Sequence, residues 1–156
     1  MGVAKMQSSF HEDYSDWDKC ESAVKYFEAA INRGYDKRDL FDRLANCYHI
    51  LQDRQNEIRA YSLGLTKYPN DAGFLFYRGT CYQEMKRPED ALNDFDVLVK
   101  TNPSHQYYND AVFKRGAMRY ILNDTIGAKA DYVRARNIDP KDYNFKLYFD
   151  YCRLWQ

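Results

Sequence analysis

The sequence predicts an all-α chain of stacked helix pairs, and three observations support this fold class. Residues recur at a spacing of 34, since Pro69 and Pro103 are 34 apart and Tyr35 stands 34 before Pro69. Each such unit carries two apolar patterns of helical period, separated by a polar turn. Small residues recur where paired helices would approach to the roughly 8–10 Å typical of helix packing. A period this regular is typical of a helical solenoid.

We number each repeat from position 1, so that position 32 is Tyr35, Pro69, Pro103 or Pro140, which gives the repeats 4–37, 38–71, 72–105 and 109–142. Three extra residues precede the last repeat. The first helix of repeat 4–37 matches the pattern weakly, so we treat residues 1–15 as an N-terminal segment and 16–142 as the repeat array.

Local signals justify the predicted elements in chain order. Pro88 suits a helix start, because its missing N–H needs no partner there, and Glu89 and Asp90 lie at the positive end of the same helix. Pro103 and Pro140 end their second helices, since proline cannot continue them. Asn123-Asp124 is typical of a turn between two helices. Residues 143–156 complete an amphipathic stretch that we predict to be a C-terminal capping helix.

Composition narrows the function classes. Apolar residues make up 45% and charged residues 29%, as expected of a folded chain. Lys and Arg number 23 and so do Asp and Glu, so the zero net charge offers no bulk attraction to nucleic acid or anionic membrane. No stretch of about 18 apolar residues and no signal peptide are present. We therefore expect no membrane insertion and a cytoplasmic location, unless a targeting segment has been removed.

Residues for catalysis or metal binding are not arranged as such chemistry requires. The four Cys, at 20, 47, 81 and 152, form no C-x-x-C pair, which favours free thiols in a reducing compartment. The three His, at 11, 49 and 105, lack metal-ligand spacing, and the seven Gly form no phosphate-binding loop. We expect a non-enzymatic protein without metal or cofactor.

The residues that recur at fixed positions are aromatic, aliphatic, small or proline. They are Phe41, Leu44, Ala45, Tyr48, Tyr61, Gly64 and Pro69 in repeat 38–71, Leu75, Gly79, Tyr82, Ala91, Phe95, Leu98 and Pro103 in repeat 72–105, and Val112, Gly116, Ala128, Tyr132, Ala135 and Pro140 in repeat 109–142. Position by position, this pattern resembles the tetratricopeptide repeat family. The resemblance implies about four antiparallel helix pairs in a right-handed superhelix, whose first helices line a concave groove that binds peptides or protein surfaces.

Two repeats share an Arg-Gly dipeptide at positions 7 and 8. Arg78 and Arg115 stand at position 7, and Asp94 and Asp131 stand at position 23 of the same repeats. Repeat 38–71 has Leu44 and Ala60 at these positions, so the two positions change together. Because a buried guanidinium needs a partner, we predict that Arg78 pairs with Asp94 and Arg115 with Asp131. The Arg-Gly dipeptide is thus interpreted as structural.

The resemblance also implies which residues face the groove and contact a partner. They are Asp39, Asp42, Arg43, Asn46, His49, Phe76, Tyr77, Thr80, Gln83, Phe113, Lys114, Ala117 and Tyr120. Among them, we expect aromatic side chains to supply contact area and polar ones to fix register. Alternatively, single rings pack against neighbouring repeats.

The favoured function is a scaffold that binds a partner peptide or protein segment. One alternative is a co-chaperone, because a subclass of the family clamps the C-terminal carboxylate of chaperone tails. Asn46 matches that clamp and Lys114 matches in charge, but Asp42, Tyr77 and Asp110 depart from it. Asp42 and Asp110 would repel a carboxylate. Another alternative is an assembly role, in which convex or terminal-helix surfaces form a homo-oligomer.

Overall fold

A computed structural model describes the backbone of residues 2–139 and the side chains of residues 17–139. Seven α-helices and no strand occur in this part, which confirms the predicted all-α fold class. They are α1 Gly2–Asn32, α2 Arg38–Ile50, α3 Arg54–Lys67, α4 Ala72–Glu84, α5 Pro88–Thr101, α6 Tyr108–Ile121 and α7 Thr125–Ile138. The predicted capping helix over residues 143–156 lies outside the described residues.

The chain divides into two compact units, Met1–Pro69 and Asn70–Gln156. In the first unit, α2 packs against both α1 and α3. Buried apolar side chains fill the contact between α2 and α3, with Phe41 and Leu44 from one helix and Ile58 and Tyr61 from the other. This helix pair corresponds to repeat 38–71.

The second unit holds two further helix pairs, α4 with α5 and α6 with α7, and α5 also packs against α6. Its largest fully buried side chains include Phe74, Phe95, Leu98, Met118 and Tyr132. Both pairs follow the helix-turn-helix pattern that the repeat frame predicts. In the three pairs, the second helices all begin at position 17 and end at position 30.

Residues 4–37 differ from the prediction of a helix pair, because α1 is one uninterrupted helix from Gly2 to Asn32. The later repeats make their turn at position 15 with positive φ, at Gln52, Lys86 and Asn123. The corresponding residue of the first repeat, Asp18, lies inside α1. In two of those repeats, an Asp at position 16 then caps the second helix. The first repeat has Lys19 there, which cannot accept a hydrogen bond from the backbone N–H groups.

Two glycines at position 8 allow close contact within the helix pairs of the second unit. A Cβ atom on Gly79 would lie 2.8 Å from Cε1 of Phe95. On Gly116 it would lie 3.0 Å from Cε1 of Tyr132. Both aromatic rings are fully buried, so a larger residue at either position would force side chains out of their packed positions.

Candidate functional site

Both Arg-Gly arginines bind a carboxylate on the second helix of their own repeat. Arg78 donates from Nε to Oδ2 of Asp94 at 2.8 Å and from Nη2 to Oδ1 at 2.6 Å. Burial alone would lower the pKa of Arg78, but the hydrogen bonds and the charge of Asp94 outweigh it and raise that pKa. The guanidinium therefore stays protonated, and this bidentate pair joins α4 to α5.

The second pair belongs to a larger network. Arg115 donates from Nε to Oδ2 of Asp131 at 2.9 Å and from Nη2 to Oδ1 of the same carboxylate. Its Nη1 donates to Asp96 at 3.0 Å, and Arg119 donates to Asp131 at 2.8 Å. Arg115 and Asp131 are 7% and 2% exposed, so this pair lies inside the unit and joins α6 to α7. Arg119 and Asp96 are partly exposed at the edge of the network.

In the first unit, the predicted partner-binding residues carry charges that are paired along their own helix. Arg43 donates to Asp39 at 2.6 Å, and Arg38 lies 4.0 Å from Asp42. In each pair, the two side chains lie one helical turn apart and are exposed or half-exposed. Asn46 is exposed on the same helix. Since Asp39 neutralises Arg43, this helix offers no isolated cation to a partner.

His49, another predicted contact residue, belongs to a cluster around a buried carboxylate. Glu57 is 3% exposed and stands at position 20, where the other repeats have Ala. It accepts a hydrogen bond from Arg54 at 2.7 Å, and Nδ1 of His49 lies 3.1 Å from it. The same Nδ1 lies 2.7 Å from the Arg54 guanidinium. The substitution of Ala by Glu57 was the sequence signal for this cluster, and our sequence reasoning did not use it.

In the second unit, three rings form what we call the aromatic cluster, Phe76, Tyr77 and Tyr107. Phe76 stacks on Tyr107, with ring centroids 4.6 Å apart and an interplanar angle of 10°. Tyr77 stands edge-on to both, with its centroid 5.6 Å from Phe76 and 5.5 Å from Tyr107. The hydroxyl groups of the two tyrosines are hydrogen-bonded at 2.8 Å. Tyr77 is 39% exposed, so part of this ordered cluster faces solvent.

Lys114 reaches the aromatic cluster from α6. Its Nζ lies 5.8 Å from the Phe76 centroid and donates to Oε1 of Gln83 at 3.2 Å. Burial lowers the pKa of Lys114, while the charges of Asp110 and Glu84 oppose that effect. The ammonium group is thus held over a ring face, a favourable cation–π arrangement, next to two carboxylates.

Tyr107 is the member of the cluster that sequence reasoning missed. It lies in the three-residue insertion before repeat 109–142, residues 106–108, and so has no position in the repeat frame. The insertion itself, with the letters QYY, was the available signal. Two tyrosines placed out of period beside a ring-rich helix indicate a local feature beyond the repeat.

The remaining predicted contact residues of the second unit divide between exposed and internal positions. Thr80 donates its hydroxyl to the carbonyl of Phe76 at 2.9 Å. Phe113 packs against the buried Tyr132 ring with centroids 5.5 Å apart, as the packing alternative predicts. Ala117 is only 3% exposed, which corrects its assignment as a contact residue, because α6 buries it. Tyr120 is 36% exposed.

Other kinds of site find no support in the part of the chain that the structure describes. Among residues 17–139, no three His, Cys, Asp or Glu side chains come together as metal ligands would. Cys20, Cys47 and Cys81 are buried free thiols. Within the described helices, none combines the length and apolar content needed to cross a membrane.

Comparison with known proteins links this architecture to a repeat family, although no family model matches the chain. Heat shock protein STI1 of Saccharomyces cerevisiae is 29% identical over 90 residues, which are 58% of this chain and 15% of that protein. The chain thus spans a small part of that relative.

Among solved structures, the first TPR of Spaghetti (RPAP3) bound to HSP90 peptide SRMEEVD has a TM-score of 0.68 at 24% identity, covering 75% of this chain and 90% of that one. YrrB, a TPR protein with an unusual peptide-binding site, has a TM-score of 0.67 at 22% identity, and the match covers 85% of this chain and 66% of that one. Three helix pairs of this chain correspond to the predicted repeats 38–71, 72–105 and 109–142. This chain has the tetratricopeptide-repeat fold.

Proposed function

We propose that this chain is a non-enzymatic interaction module that holds a segment of a partner protein, with the aromatic cluster of the second unit as its main contact. The observation that carries the proposal is the fixed geometry of Phe76, Tyr77 and Tyr107 beside solvent. Rings that are ordered before binding lose little conformational entropy when a partner arrives. Aromatic side chains in such settings often dominate interface energetics.

The fold neighbours support the same function class. The RPAP3 domain is described as bound to an HSP90 peptide, and YrrB as having a peptide-binding site. In our proposal, Tyr120 and Gln83 extend the contact surface around the cluster. Phe113 supports the surface from within, because it packs on Tyr132.

A peptide-display selection tests this proposal directly. Random peptides are selected on the wild-type protein, and dissociation constants of the selected peptides are then measured by fluorescence anisotropy. We expect the double variant Tyr77→Ala/Tyr107→Ala to weaken binding by roughly tenfold or more, as the loss of an aromatic hot spot does. Circular dichroism and thermal unfolding establish that the variant is folded.

A matched control comes from an exposed tyrosine elsewhere. Tyr26 on α1 is 76% exposed, and Tyr26→Ala removes the same side chain from the first unit. This control should bind the selected peptides as the wild type does. If the cluster variant also binds like the wild type, the aromatic cluster is not the contact surface.

The assembly alternative remains a prediction about residues 143–156, which lie outside the described residues. A homo-oligomer formed through that segment would show as a concentration-dependent mass in sedimentation experiments. Truncation after Asp139 should then give a monomer while peptide binding to the aromatic cluster persists.

A further inference from the structure

One helix face in the first unit is uncovered where the other repeats bury theirs. In repeats 38–71, 72–105 and 109–142, the second helix has a buried residue at each of positions 20, 23, 24 and 27. In repeat 4–37 none of these positions is buried, and Tyr26 at position 23 is 76% exposed. Its counterparts Asp94 and Asp131 are 0% and 2% exposed. We call this surface of α1 the open face, and its residues are Ala23, Tyr26, Phe27 and Ala30.

The open face exists because α1 supplies no first helix to cover it. Residues 4–17 stand where the other repeats have their first helix, but they continue α1 without a turn. The later repeats reverse the chain at position 15 with positive φ, whereas Asp18 at this position lies inside α1. Since a continuous helix cannot fold back onto its own later residues, a single copy leaves this face to solvent.

Residues 4–17 nevertheless have side-chain chemistry that matches the open face. In repeats 72–105 and 109–142, positions 7 and 23 bind each other as bidentate ion pairs. In repeat 38–71 both positions are apolar and buried, with Leu44 and Ala60. Repeat 4–37 has Phe10 at position 7 and Tyr26 at position 23, so two aromatic rings occupy the paired positions. The two halves of α1 are therefore matched to each other although they cannot meet within one chain.

We propose that the open face binds residues 4–17 of a second copy of this chain, in a homodimer that exchanges its N-terminal helical segments. Each copy gives one segment and receives one, which is the self-complementary arrangement of a two-fold dimer. Phe10 of each copy then lies opposite Tyr26 of the other. The homodimer concerns the first unit alone and is independent of the aromatic cluster and its peptide binding.

Position 8 favours pairing between two copies over pairing within one chain. The later repeats have Ala45, Gly79 and Gly116 there, and a Cβ on either glycine would press on the ring at position 24. Repeat 4–37 has His11 at position 8 and Phe27 at position 24. A larger side chain at position 8 requires a wider helix spacing. A short turn between the helices would oppose that spacing, whereas two separate chains can adopt it.

Sedimentation velocity of the full chain over a dilution series tests the homodimer. We expect a species of twice the chain mass that dissociates on dilution. Tyr26→Asp should raise the dimer dissociation constant at least about a hundredfold, because both symmetric contacts then bury a carboxylate without a partner. The control Tyr35→Asp makes the same change at a tyrosine that is 64% exposed outside the open face. This control should dimerise like the wild type.

A mixture of two single variants shows whether the contact joins two copies. Phe10→Arg and Tyr26→Asp should each be monomeric alone. Mixed in equal amounts, they should form a heterodimer, because one contact then pairs the introduced charges as Arg78 pairs with Asp94. The other contact of that heterodimer keeps both wild-type rings. The double variant Phe10→Arg/Tyr26→Asp should dimerise by itself, and circular dichroism establishes that each variant is folded.

Three results would overturn the exchanged homodimer. They are a wild type that stays monomeric, a Tyr26→Asp variant that dimerises like the wild type, and a mixture of the two single variants that stays monomeric. Truncation after Asp139 should leave the dimer intact, so a dimer that is lost on this truncation would assign assembly to the C-terminal segment instead. Binding of selected peptides to Tyr26→Asp should equal that of the wild type, which separates this interface from the proposed function.

Discussion

Arg78 and Asp94 stand where repeat 38–71 has Leu44 and Ala60, so this chain packs equivalent positions with an ion pair in one repeat and with apolar groups in another. The carboxylate of Asp94 is fully buried, and both of its oxygens accept from Arg78. Substituting one residue of the pair would leave the charge of the other without its ion-pair partner. Substituting both would leave a site that Leu and Ala can fill.

The ion pair makes a prediction for a double-mutant cycle. Asp94→Ala alone should lower the free energy of unfolding by about 3–5 kcal/mol, because the mostly buried guanidinium of Arg78 then loses both hydrogen bonds to this carboxylate. Arg78→Leu/Asp94→Ala, which copies repeat 38–71, should recover most of that loss. Urea unfolding followed by circular dichroism measures all variants. A double variant that loses the sum of the two single changes would show that the pair is not coupled.

Gly79 makes a second prediction at the residue scale. Gly79→Ala gains about 1 kcal/mol of helix propensity but places a Cβ against Phe95, and such overpacking costs about 1–3 kcal/mol. We expect a net loss of about 1 kcal/mol in urea unfolding. In a Phe95→Leu background, the smaller side chain should make Gly79→Ala less destabilising. Equal costs in both backgrounds would contradict this account.

Tyr48 links stability to alkaline pH. This side chain is buried, and its hydroxyl donates a hydrogen bond to Glu28 at 2.8 Å. Burial is the larger cause and the hydrogen bond the smaller, and together they raise the pKa of Tyr48 from 10.0 to about 12. The folded state therefore favours the neutral phenol. The contribution of Tyr48 to the free energy of unfolding is fully present below pH 10 and is lost as pH rises towards about 12.

Tyr48→Phe tests this linkage. At pH 7 the free energy of unfolding of the variant should be lower by about 1 kcal/mol, because the hydrogen bond to Glu28 is lost. Its free energy of unfolding should then fall less steeply between pH 10 and about 12 than that of the wild type. Cys47, whose pKa burial and neighbouring Cys20 raise to about 11, titrates in both proteins, so the difference between them isolates Tyr48. Parallel pH profiles would contradict the assignment.

At the scale of the helix, caps and turns decide where each element begins. Asp71 accepts a hydrogen bond from the backbone N–H of Phe74 at 2.9 Å and so caps α4. Asp71→Ala should lower the free energy of unfolding by about 1 kcal/mol, as expected when an N-cap is lost. The neighbouring exposed change Asn70→Ala should cost much less. Thermal unfolding of both variants compares them, and equal effects would argue against the cap.

The sequence predicted the three later helix pairs from the repeat period, and local signals at their turns agree with it. Asp53 and Asp124 cap α3 and α7, and Pro88 begins α5, all at the ends the repeat frame indicates. The first repeat lacks such signals at Asp18 and Lys19. The apolar period alone could not show whether a turn interrupts it, so the continuous α1 was not predicted.

The candidate site was predicted only in part, for a similar reason. Phe76, Tyr77 and Lys114 follow from their positions in the repeat frame. Tyr107 does not, because it lies outside the period, and its contact with Phe76 depends on tertiary structure. Ala117 was misassigned because position in the frame does not reveal how deeply α6 buries that residue.

At the scale of the whole molecule, repeat architecture predicts that a destabilising substitution affects mainly the helices of its own repeat and of the neighbouring repeats. In solenoids, each repeat contacts its neighbours, and stability is roughly a sum of local terms. Asp94→Ala should therefore accelerate amide hydrogen exchange in α4 and α5 far more than in α1 and α2. Exchange measured by mass spectrometry resolves these helices. Equal acceleration along the chain would mean that the two units unfold as one cooperative body.

The three-residue insertion before repeat 109–142 has a consequence for how such chains diversify. Residues that keep the period are constrained by packing in each helix pair, whereas Tyr107 is free of that constraint and stacks on Phe76. Short insertions between repeats can thus add recognition chemistry without altering the scaffold. Related arrays that share every periodic residue but differ in this junction would then bind different partners, and partner choice would evolve separately from fold.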